Sequence, residues 1–435
     1  MSGPVNTASI LPDELWVKIL SRLAPERVLE LHTVSLKKLA QDQRNLYRVR
    51  SVCSRFNKLF LESPKLSSCL ILEWRLRPVC TPGLLAWLRC HSCCVETVMT
   101  DCDTYALDMV LDALLTQPQR LKTLELGPSQ ESDLRMVACF SNLATLGFSP
   151  SDTNNVFDIS ALQALPHLRT LSLFGGEYSI KELPEGLLSL RLKDANLELV
   201  ELTTSVVPLQ NLKVVGCRFF NNHSDGILAY TTLQELYLYS GSVYGSYTSD
   251  GKVVEFGRSP YYESYSCPDL SPLKFLSVLY MNASGHDEPI DWVCLYCLSS
   301  LQALTLHYTS QDLKIDQKLT MLSNLTSLKL IGASVPCRYN VVLVSVAINV
   351  SWGAMSSLQT IYVESDRLQF GPNMLELLQV LSLRCVTFLN SKHVTAEKPA
   401  DFAALVQGLI VQRPGVTLMV NGSRKLAVHC KQTCA

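Results

Sequence analysis

One short phrase decides the fold, and its clearest copies are Leu168-Arg-Thr-Leu171-Ser-Leu173 and Leu187-Leu-Ser-Leu190-Arg-Leu192. Further copies of Leu-x-x-Leu-x-Leu start at Leu121, Leu143, Leu212, Leu233, Leu273, Leu301, Leu325, Leu358 and Leu378, and a weaker copy starts at Val95. Most starts are 19–28 residues apart, with longer steps of 40 and 33 residues. Alternate residues of a strand point to opposite faces, so each copy presents one leucine face. One copy cannot bury that face alone, and the copies are therefore predicted to stack into a solenoid with a parallel sheet.

The composition agrees with a folded repeat protein. Leucine accounts for 75 of the 435 residues, about 17%, and charged residues for 18%, with a net charge of −1. These values exclude wholesale disorder, and they disfavour a nucleic-acid binder that relies on bulk positive charge. The longest apolar run, at 341–350, is shorter than the roughly 20 residues of a membrane span. Residues 1–7 lack the basic start of a secretory signal, so a cytoplasmic or nuclear location with mostly reduced cysteines is expected.

Two amphipathic stretches stand at the N-terminus. Leu15, Ile19 and Leu23 recur at helical spacing, and Pro12 suits the first turn of that helix because its missing N–H costs nothing there. A second stretch covers 46–60. Two short amphipathic helices that precede the repeats are therefore predicted.

These stretches, LPDELWVKILSRLAPE at 11–26 and SVCSRFNKLFLESPKL at 51–66, resemble an F-box. The resemblance implies a three-helix motif that docks onto the Skp-type adaptor of cullin–RING ubiquitin ligases. It would place these residues against the adaptor: Leu11, Pro12, Leu15, Ile19, Leu20, Leu23, Val52, Cys53, Phe56 and Leu59. A plain helical cap that seals the repeat core is the alternative interpretation.

The F-box pattern shows two departures. The family usually has Trp where Phe56 stands. The usual spacing ends at Val34-Ser35, whereas the better Val52-Cys53 comes 18 residues later. An inserted segment near 27–45 is therefore expected. The insertion is either a loop or a helix. A helix is compatible with the pattern because 18 residues make about five whole turns, which leaves the downstream apolar face pointing the same way.

The repeat period matches that of leucine-rich repeats, about 20–29 residues. Such repeats behind an F-box resemble the substrate receptors of the F-box/leucine-rich-repeat class. The predicted fold is α/β, with an F-box over 1–66, an irregular leucine-rich-repeat solenoid over 67–399 and a C-terminal cap over 400–435. Strands would form a curved parallel sheet on the concave face, with helices and coil on the convex face. Within the cap, a helix at 402–411 and a strand at 416–420 are predicted.

The candidate substrate-binding residues are those predicted to face outward from the concave sheet, where exposed aromatics beside arginine are typical of interface hot spots. They are Phe174, Arg191, Lys193, Arg218, Tyr237, Tyr239, His307, Lys329, Tyr362 and Arg384. For each residue alone, simple solvation of the outer face is the alternative.

A Tyr/Ser/Gly-rich insertion near 239–272 does not fit the repeat pattern. A loop of this length is usually functional or disordered. Its tyrosines and serines are also compatible with a lip that closes over a partner or with a phosphorylated segment. These interpretations stay open at the level of sequence.

The cysteines are predicted to be structural thiols. Cys294-x-x-Cys297 resembles half a zinc site, and Cys90-His91-x-Cys93-Cys94 could supply further ligands. No second well-spaced pair accompanies Cys294, so no metal site is predicted.

No catalytic motif is present, neither a P-loop nor a nucleophile elbow, a zinc-protease motif or a kinase set. The F-box resemblance implies a non-catalytic substrate-recognition subunit of a Skp–cullin–F-box ligase. Its partners would be the adaptor, through it the cullin and RING subunits, and an unidentified protein substrate, with no cofactor, nucleic acid or membrane. Three alternatives stay open. They are a repeat scaffold outside any ligase, a small-molecule co-receptor of the plant hormone receptor type with a basic pocket at Arg191, Lys193 and Arg218, and a cysteine- or metal-dependent activity.

Overall fold

A computed structural model describes the following residues: 69–72, 82–100, 104–152, 155–199, 207–215, 218–221, 232–239, 242–246, 253–254, 270, 273–282, 292–308, 313–332, 345–365, 367–389, 393–396 and 399–420. The F-box-like segment, its insertion and all predicted adaptor contacts lie outside these residues, so they stay predictions. The chain divides into two compact units, Met1–Leu187 and Leu188–Ala435. No helix in the described part is long and apolar enough to cross a bilayer.

The first unit is built on parallel strands. Its strands are β1 (Cys69–Leu72), β2 (Thr97–Thr100), β3 (Thr123–Ser129), β4 (Thr145–Pro150), β5 (Val156–Asp158) and β6 (Thr170–Ile180), and its helices are α1 (Pro82–His91), α2 (Thr104–Leu114) and α3 (Glu131–Val137). The ladder runs β1–β2–β3–β4–β6 with every pair parallel. Helices α1 to α3 lie in the segments that connect β1 to β4, as expected for parallel strands that need a crossover.

The second unit is built on the same plan, a ladder of parallel strands. Its main-ladder strands are β7 (Ser189–Leu199), β8 (Asn211–Val215), β10 (Glu235–Tyr239), β13 (Val278–Asn282), β14 (Ala303–Tyr308), β16 (Ser327–Gly332), β18 (Thr360–Glu364), β20 (Cys385–Leu389) and β22 (Thr417–Val420). They pair in that order, and every pair is parallel. Several connections hold 3₁₀ turns, at Trp292–Cys297, Gln317–Met321, Trp352–Ala354 and Pro372–Gln379. The predicted α/β repeat architecture with a parallel sheet is therefore confirmed for the described residues.

Short strands of the second unit form additional parallel ladders. These strands are β9 (Arg218–Asn221), β11 (Ser242–Ser246), β12 (Val253–Val254), β15 (Leu313–Ile315), β17 (Ser345–Ile348), β19 (Arg367–Phe370) and β21 (His393–Ala396). The end of β7 pairs with β9 and β9 with β11, while β15, β17, β19 and β21 form a separate sheet. β12 pairs antiparallel with β11. Part of the predicted 239–272 insertion thus extends a secondary ladder.

Left-handed residues let one strand serve two ladders. Gly175 and Gly176 have φ values of 61° and 77°, which glycine adopts at no steric cost. Before this bend β6 pairs with β4, and after it β6 pairs with β5. In the second unit, Asp194 has a φ of 52°. It separates the part of β7 that pairs with β8 from the part that pairs with β9.

One aliphatic residue per strand, here called the inner rung, forms the centre of each core. In the second unit these residues lie directly opposite one another along the main ladder and are 0–5% exposed: Leu190, Leu212, Leu236, Leu279, Leu304, Leu328, Ile361, Val386 and Leu418. The first unit has an equivalent set in Leu70, Val98, Leu124, Leu146 and Leu171. Because burial of one such side chain contributes about 1.5–3 kcal/mol, the rung is a main source of stability.

A repeated backbone contact sets the register at the entrance of each strand. The Gln234 carbonyl accepts the N–H groups of Ser277 and Val278, at 2.8 and 3.0 Å. The same double contact recurs at the carbonyls of Gln210, Gln302, Thr326 and Gln359. Each strand therefore enters the sheet at the same point, which holds the inner rung in line.

Two copies lie in a different phase from the predicted one. Leu212 is opposite Leu236, the second leucine of its copy, so this copy starts at Leu209. The copy that contains β13 starts at Leu276 and not at Leu273. The connecting turns themselves bury leucines, and Leu273 is one of them, so leucine spacing alone does not identify the ladder residue.

The last predicted copy is also out of phase. It was expected to start at Leu378, but β20 carries Val386 and Phe388 as its buried apolar residues, with Thr387 buried between them. Leu381, which the predicted phase places on the ladder, is 86% exposed. Helix α4 (Pro399–Gln412) and β22 then occupy the region where a helix and a strand were predicted.

Asp133 is a buried carboxyl near the start of α3. Its Oδ2 accepts the Gln130 backbone N–H at 2.6 Å, and the residue is 1% exposed. Burial raises the pKa of Asp133 to about 6, and the carboxyl of Asp108 on α2 acts in the same direction. The folded state therefore binds this proton more tightly than the unfolded chain does.

We expect Asp133→Asn to flatten the pH dependence of stability. Because the folded pKa is raised from 3.8 to about 6, the wild-type protein loses unfolding free energy as the pH rises through that window. Asn keeps an oxygen acceptor for Gln130 without the charge. Thermal or chemical denaturation should show the variant gaining about 2–3 kcal/mol relative to wild type between about pH 4 and pH 7. Asp112→Asn, on the exposed side of α2, is the control, and an equal gain there would contradict the assignment.

Candidate interaction surface

The outward face of the second unit is the side of the main ladder opposite the inner rung. One residue from each of the first seven main-ladder strands, β7 to β18, at a single register position forms what we call the central row. Its members are Arg191, Lys213, Tyr237, Tyr280, Thr305, Lys329 and Tyr362, each directly opposite the next. All of them are half-buried or exposed. The repeat thus converts seven distant sequence positions into one continuous stripe.

The first half of the row combines cations with stacked rings. The rings of Tyr237 and Tyr280 stack with centroids 6.2 Å apart and an interplanar angle of 25°. The Lys213 Nζ lies 5.9 Å from the Tyr237 centroid, within cation–π range. Arg191 is opposite Lys213, and Lys193 is exposed two residues further along β7. This end of the row is therefore basic next to a flat aromatic platform.

The second half of the row is a small polar network. The Lys329 Nζ lies 4.7 Å from the centroid of the Tyr362 ring. The Tyr362 hydroxyl donates to Glu364 Oε2 at 2.6 Å. Burial, followed by the hydrogen bond and the charge of Glu364, raises the pKa of Tyr362 to about 12. Tyr362 is therefore a neutral hydrogen-bond donor throughout the physiological pH range.

His307 borders this network. It lies opposite Ile331 on β16, which in turn lies opposite Glu364 on β18. Burial lowers the pKa of His307, and the charge of Glu364 partly offsets that effect. His307 is therefore mainly neutral at pH 7, and Glu364 influences both His307 and Tyr362.

The structure brings together six of the ten predicted binding residues. Arg191, Lys193, Tyr237, His307, Lys329 and Tyr362 all lie on the outward face of the second unit. Arg384 is exposed one residue before β20, at the edge where strands enter the sheet. Tyr239 ends β10, and its side chain lies outside the described residues.

Two predicted residues lie elsewhere. Arg218 begins β9, a strand of the secondary ladder, and so does not join Arg191 and Lys193 on the main-ladder strands. Phe174 belongs to the first unit. A Cβ added at Gly147 would be 3.4 Å from the Phe174 ring and 3.3 Å from the Glu125 side chain, so both cover that glycine. The three basic residues that were expected to form one pocket, Arg191, Lys193 and Arg218, therefore lie on strands of two different ladders.

Two members of the central row, Lys213 and Tyr280, were not predicted from the sequence. Lys213 and Tyr280 follow Leu212 and Leu279 in copies whose predicted starts were three residues too late and three residues too early, respectively. With the starts at Leu209 and Leu276, the same rule that selected Tyr237 would have selected both.

The cysteine motifs are described in part, since the side chain of Cys294 lies outside the described residues. His91 stacks on Trp87 with ring centroids 5.1 Å apart, and its Nδ1 is 2.9 Å from the Trp87 carbonyl oxygen. The Sγ atoms of Cys93 and Cys94 are 3.7 Å apart. Among the described residues, no group of three or more His, Cys, Asp or Glu side chains could hold a metal ion.

Comparisons with known proteins concern the fold alone. No family model and no curated protein matches the chain. Among solved structures, the chain is similar to an internalin of Listeria monocytogenes, at 19% identity over 72% of this chain and 82% of the internalin, with a TM-score of 0.39. It is also similar to the leucine-rich-repeat ectodomain of the Arabidopsis thaliana receptor kinase GASSHO1/SCHENGEN3, at 14% identity over 83% of this chain and 48% of that one, with a TM-score of 0.41. A TLR13 structure solved with ssRNA13 matches at 14% identity over 84% of this chain and 59% of that one, with a TM-score of 0.43. The repeat assignment itself rests on the strand registers described above.

We expect Glu364→Gln to lower the pKa of both His307 and Tyr362. The Glu364 carboxylate raises the pKa of both His307 and Tyr362 through its charge, so the neutral amide of Gln removes that effect at both residues. NMR titration of the imidazole signal, assigned by its loss in His307→Gln, and ultraviolet titration of tyrosine are the measurements. The exposed Glu185→Gln serves as the control. An unchanged or raised His307 midpoint in Glu364→Gln would show that the two groups are not coupled.

Proposed function

We propose that this chain is the non-catalytic substrate-recognition subunit of a Skp–cullin–F-box ubiquitin ligase. The observation that carries the proposal is the combination, in one chain, of the F-box-like sequence at 11–66 with a long parallel repeat sheet. The N-terminal segment would bind the Skp-type adaptor and, through it, the cullin and RING subunits. The repeat surface would bind a protein substrate in the cytoplasm or nucleus. The subunit would act by proximity alone, since it raises the effective concentration of the substrate near the ubiquitin donor.

The outward face of the second unit supports a binding role. Half-buried tyrosines with lysines over their rings combine a large contact area with little side-chain entropy to lose. The inner rung and the backbone contacts at each strand entrance hold these side chains on a rigid sheet, and rigid presentation reduces the cost of association.

The composition of the N-terminal segment supports adaptor binding. Leu11, Leu15, Ile19 and Leu23 give one apolar stripe on the predicted helix, and Val52 and Phe56 continue the F-box pattern. An apolar stripe of this kind needs a partner, either the adaptor or the chain's own core. Which of the two covers it separates a ligase subunit from a repeat scaffold that acts outside any ligase.

Adaptor capture tests the proposal. The full chain is expressed in cells with an affinity tag, and the co-purified Skp-type adaptor and cullin are quantified by mass spectrometry. The triple change Leu11→Ala, Pro12→Ala and Ile19→Ala should reduce the recovered adaptor by at least about tenfold, because interface energy is concentrated in a few apolar anchors.

The matched control is Leu381→Ala, which removes an 86% exposed leucine far along the sequence from the F-box-like segment. It should leave adaptor recovery unchanged. Both proteins are compared with wild type by thermal melting so that misfolding is recognised. If the wild-type chain captures no adaptor, or the triple variant captures as much as wild type, the ligase role is wrong and the scaffold interpretation replaces it.

A further inference from the structure

The central row has a one-sided charge pattern. It holds three cations (Arg191, Lys213 and Lys329), three tyrosines and Thr305, and no acidic side chain is among its seven members. Lys193 adds a fourth cation at the same end as Arg191. Of the acidic residues beside the row, Glu364 is bound by the Tyr362 hydroxyl. The stripe therefore places cations on both sides of the Tyr237 and Tyr280 rings, with Arg191 and Lys213 on one side and Lys329 on the other.

The spacing along the row defines the size of a ligand. Neighbouring strands are about 4.8 Å apart, so the five steps from Arg191 to Lys329 span roughly 24 Å. An extended peptide rises about 3.3 Å per residue and covers that distance with about seven residues, so a segment of about nine residues spans it with one residue to spare at each end. Between the two cationic ends lie the stacked rings of Tyr237 and Tyr280, which suit apolar or aromatic side chains.

We propose that the central row binds an extended, unmodified peptide segment of about nine residues, acidic at both ends and apolar in the middle. One acidic end would contact Arg191, Lys193 and Lys213, and the other would contact Lys329. The apolar centre would pack on Tyr237 and Tyr280. The inference rests on the proposed function, because it takes this face as the surface that binds the client protein.

A peptide fits this face better than a nucleic acid does. The tyrosines and lysines could also stack and neutralise a single strand of RNA or DNA. However, Glu235 lies on β10 two residues before Tyr237, and Glu364 lies two residues after Tyr362, so carboxylates flank the row where a phosphate backbone would pass. A peptide with charge only at its ends passes Glu235 with an uncharged centre and meets only Glu364, which already accepts the Tyr362 hydroxyl. Charge complementarity therefore favours the acidic peptide.

Direct binding tests the inference on the full chain. The probe is a fluorescein-labelled nonapeptide with acidic residues at both ends and leucine and phenylalanine in the middle, and fluorescence anisotropy measures its dissociation constant. The wild-type chain should bind it at least about tenfold more tightly than the amide-matched peptide, in which Asn and Gln replace Asp and Glu. Affinity should fall as the salt concentration rises, because the contacts at both ends are ionic.

Paired charge reversals locate the site. Lys213→Glu with Lys329→Glu should weaken binding of the acidic peptide by at least about tenfold. Lys274→Glu with Lys314→Glu makes the same change of net charge at two exposed lysines outside the central row and should leave affinity within about twofold. Tyr280→Ala should weaken binding severalfold without changing its salt dependence. Thermal melting of each variant identifies any that fails to fold.

Each result decides the inference. Equal affinity for the amide-matched peptide, equal weakening by the control pair, or tighter binding of a uridine oligonucleotide would overturn it. Adaptor capture by the same preparations separates this inference from the proposed function. Lost peptide binding with adaptor capture intact overturns the peptide site alone, and lost capture with peptide binding intact overturns the ligase role alone.

Discussion

The alignment of one aliphatic side chain per strand is the constraint on which the rest of the structure depends. Leu236, Leu279, Leu304 and Leu328 lie directly opposite one another and are almost fully buried. A strand that slipped by one residue would turn its whole leucine set toward solvent, so the register is strongly specified. At the entrance of these strands, one backbone carbonyl accepts two consecutive N–H groups of the next repeat. These hydrogen bonds reinforce the alignment.

The same register determines the outward face. Once the inner rung is aligned, the residue after it in each strand falls into a single row on the opposite side. Lys213, Tyr237 and Tyr280 come together for this reason alone, although 67 residues separate the first from the last. Core packing thus sets the positions of the outward side chains, and the identities of those side chains can vary without a change in the fold. This separation of core from surface is well suited to a protein whose function is recognition.

The polar groups of that surface are coupled to one another. Lys329 contacts the ring of Tyr362, Tyr362 donates to Glu364, and Glu364 acts on the pKa of His307. Such networks hold side chains in defined positions before a ligand arrives, which lowers the entropy lost on binding. Repeat proteins gain specificity in this way, because neighbouring repeats each contribute one side chain to a shared contact.

The sequence by itself determined the repeat, its parallel α/β architecture and the outward position of most candidate binding residues, because leucine periodicity reports directly which face of a strand is buried. It also carries the F-box-like segment, on which the ligase proposal depends. Only the tertiary structure decided the phase of three copies, since leucines such as Leu273 are buried in turns as completely as leucines on strands. That phase brought Lys213 and Tyr280 into the central row and moved Arg218 to a secondary ladder. Contacts between strands depend on register, and register is set by packing between repeats that no single repeat encodes.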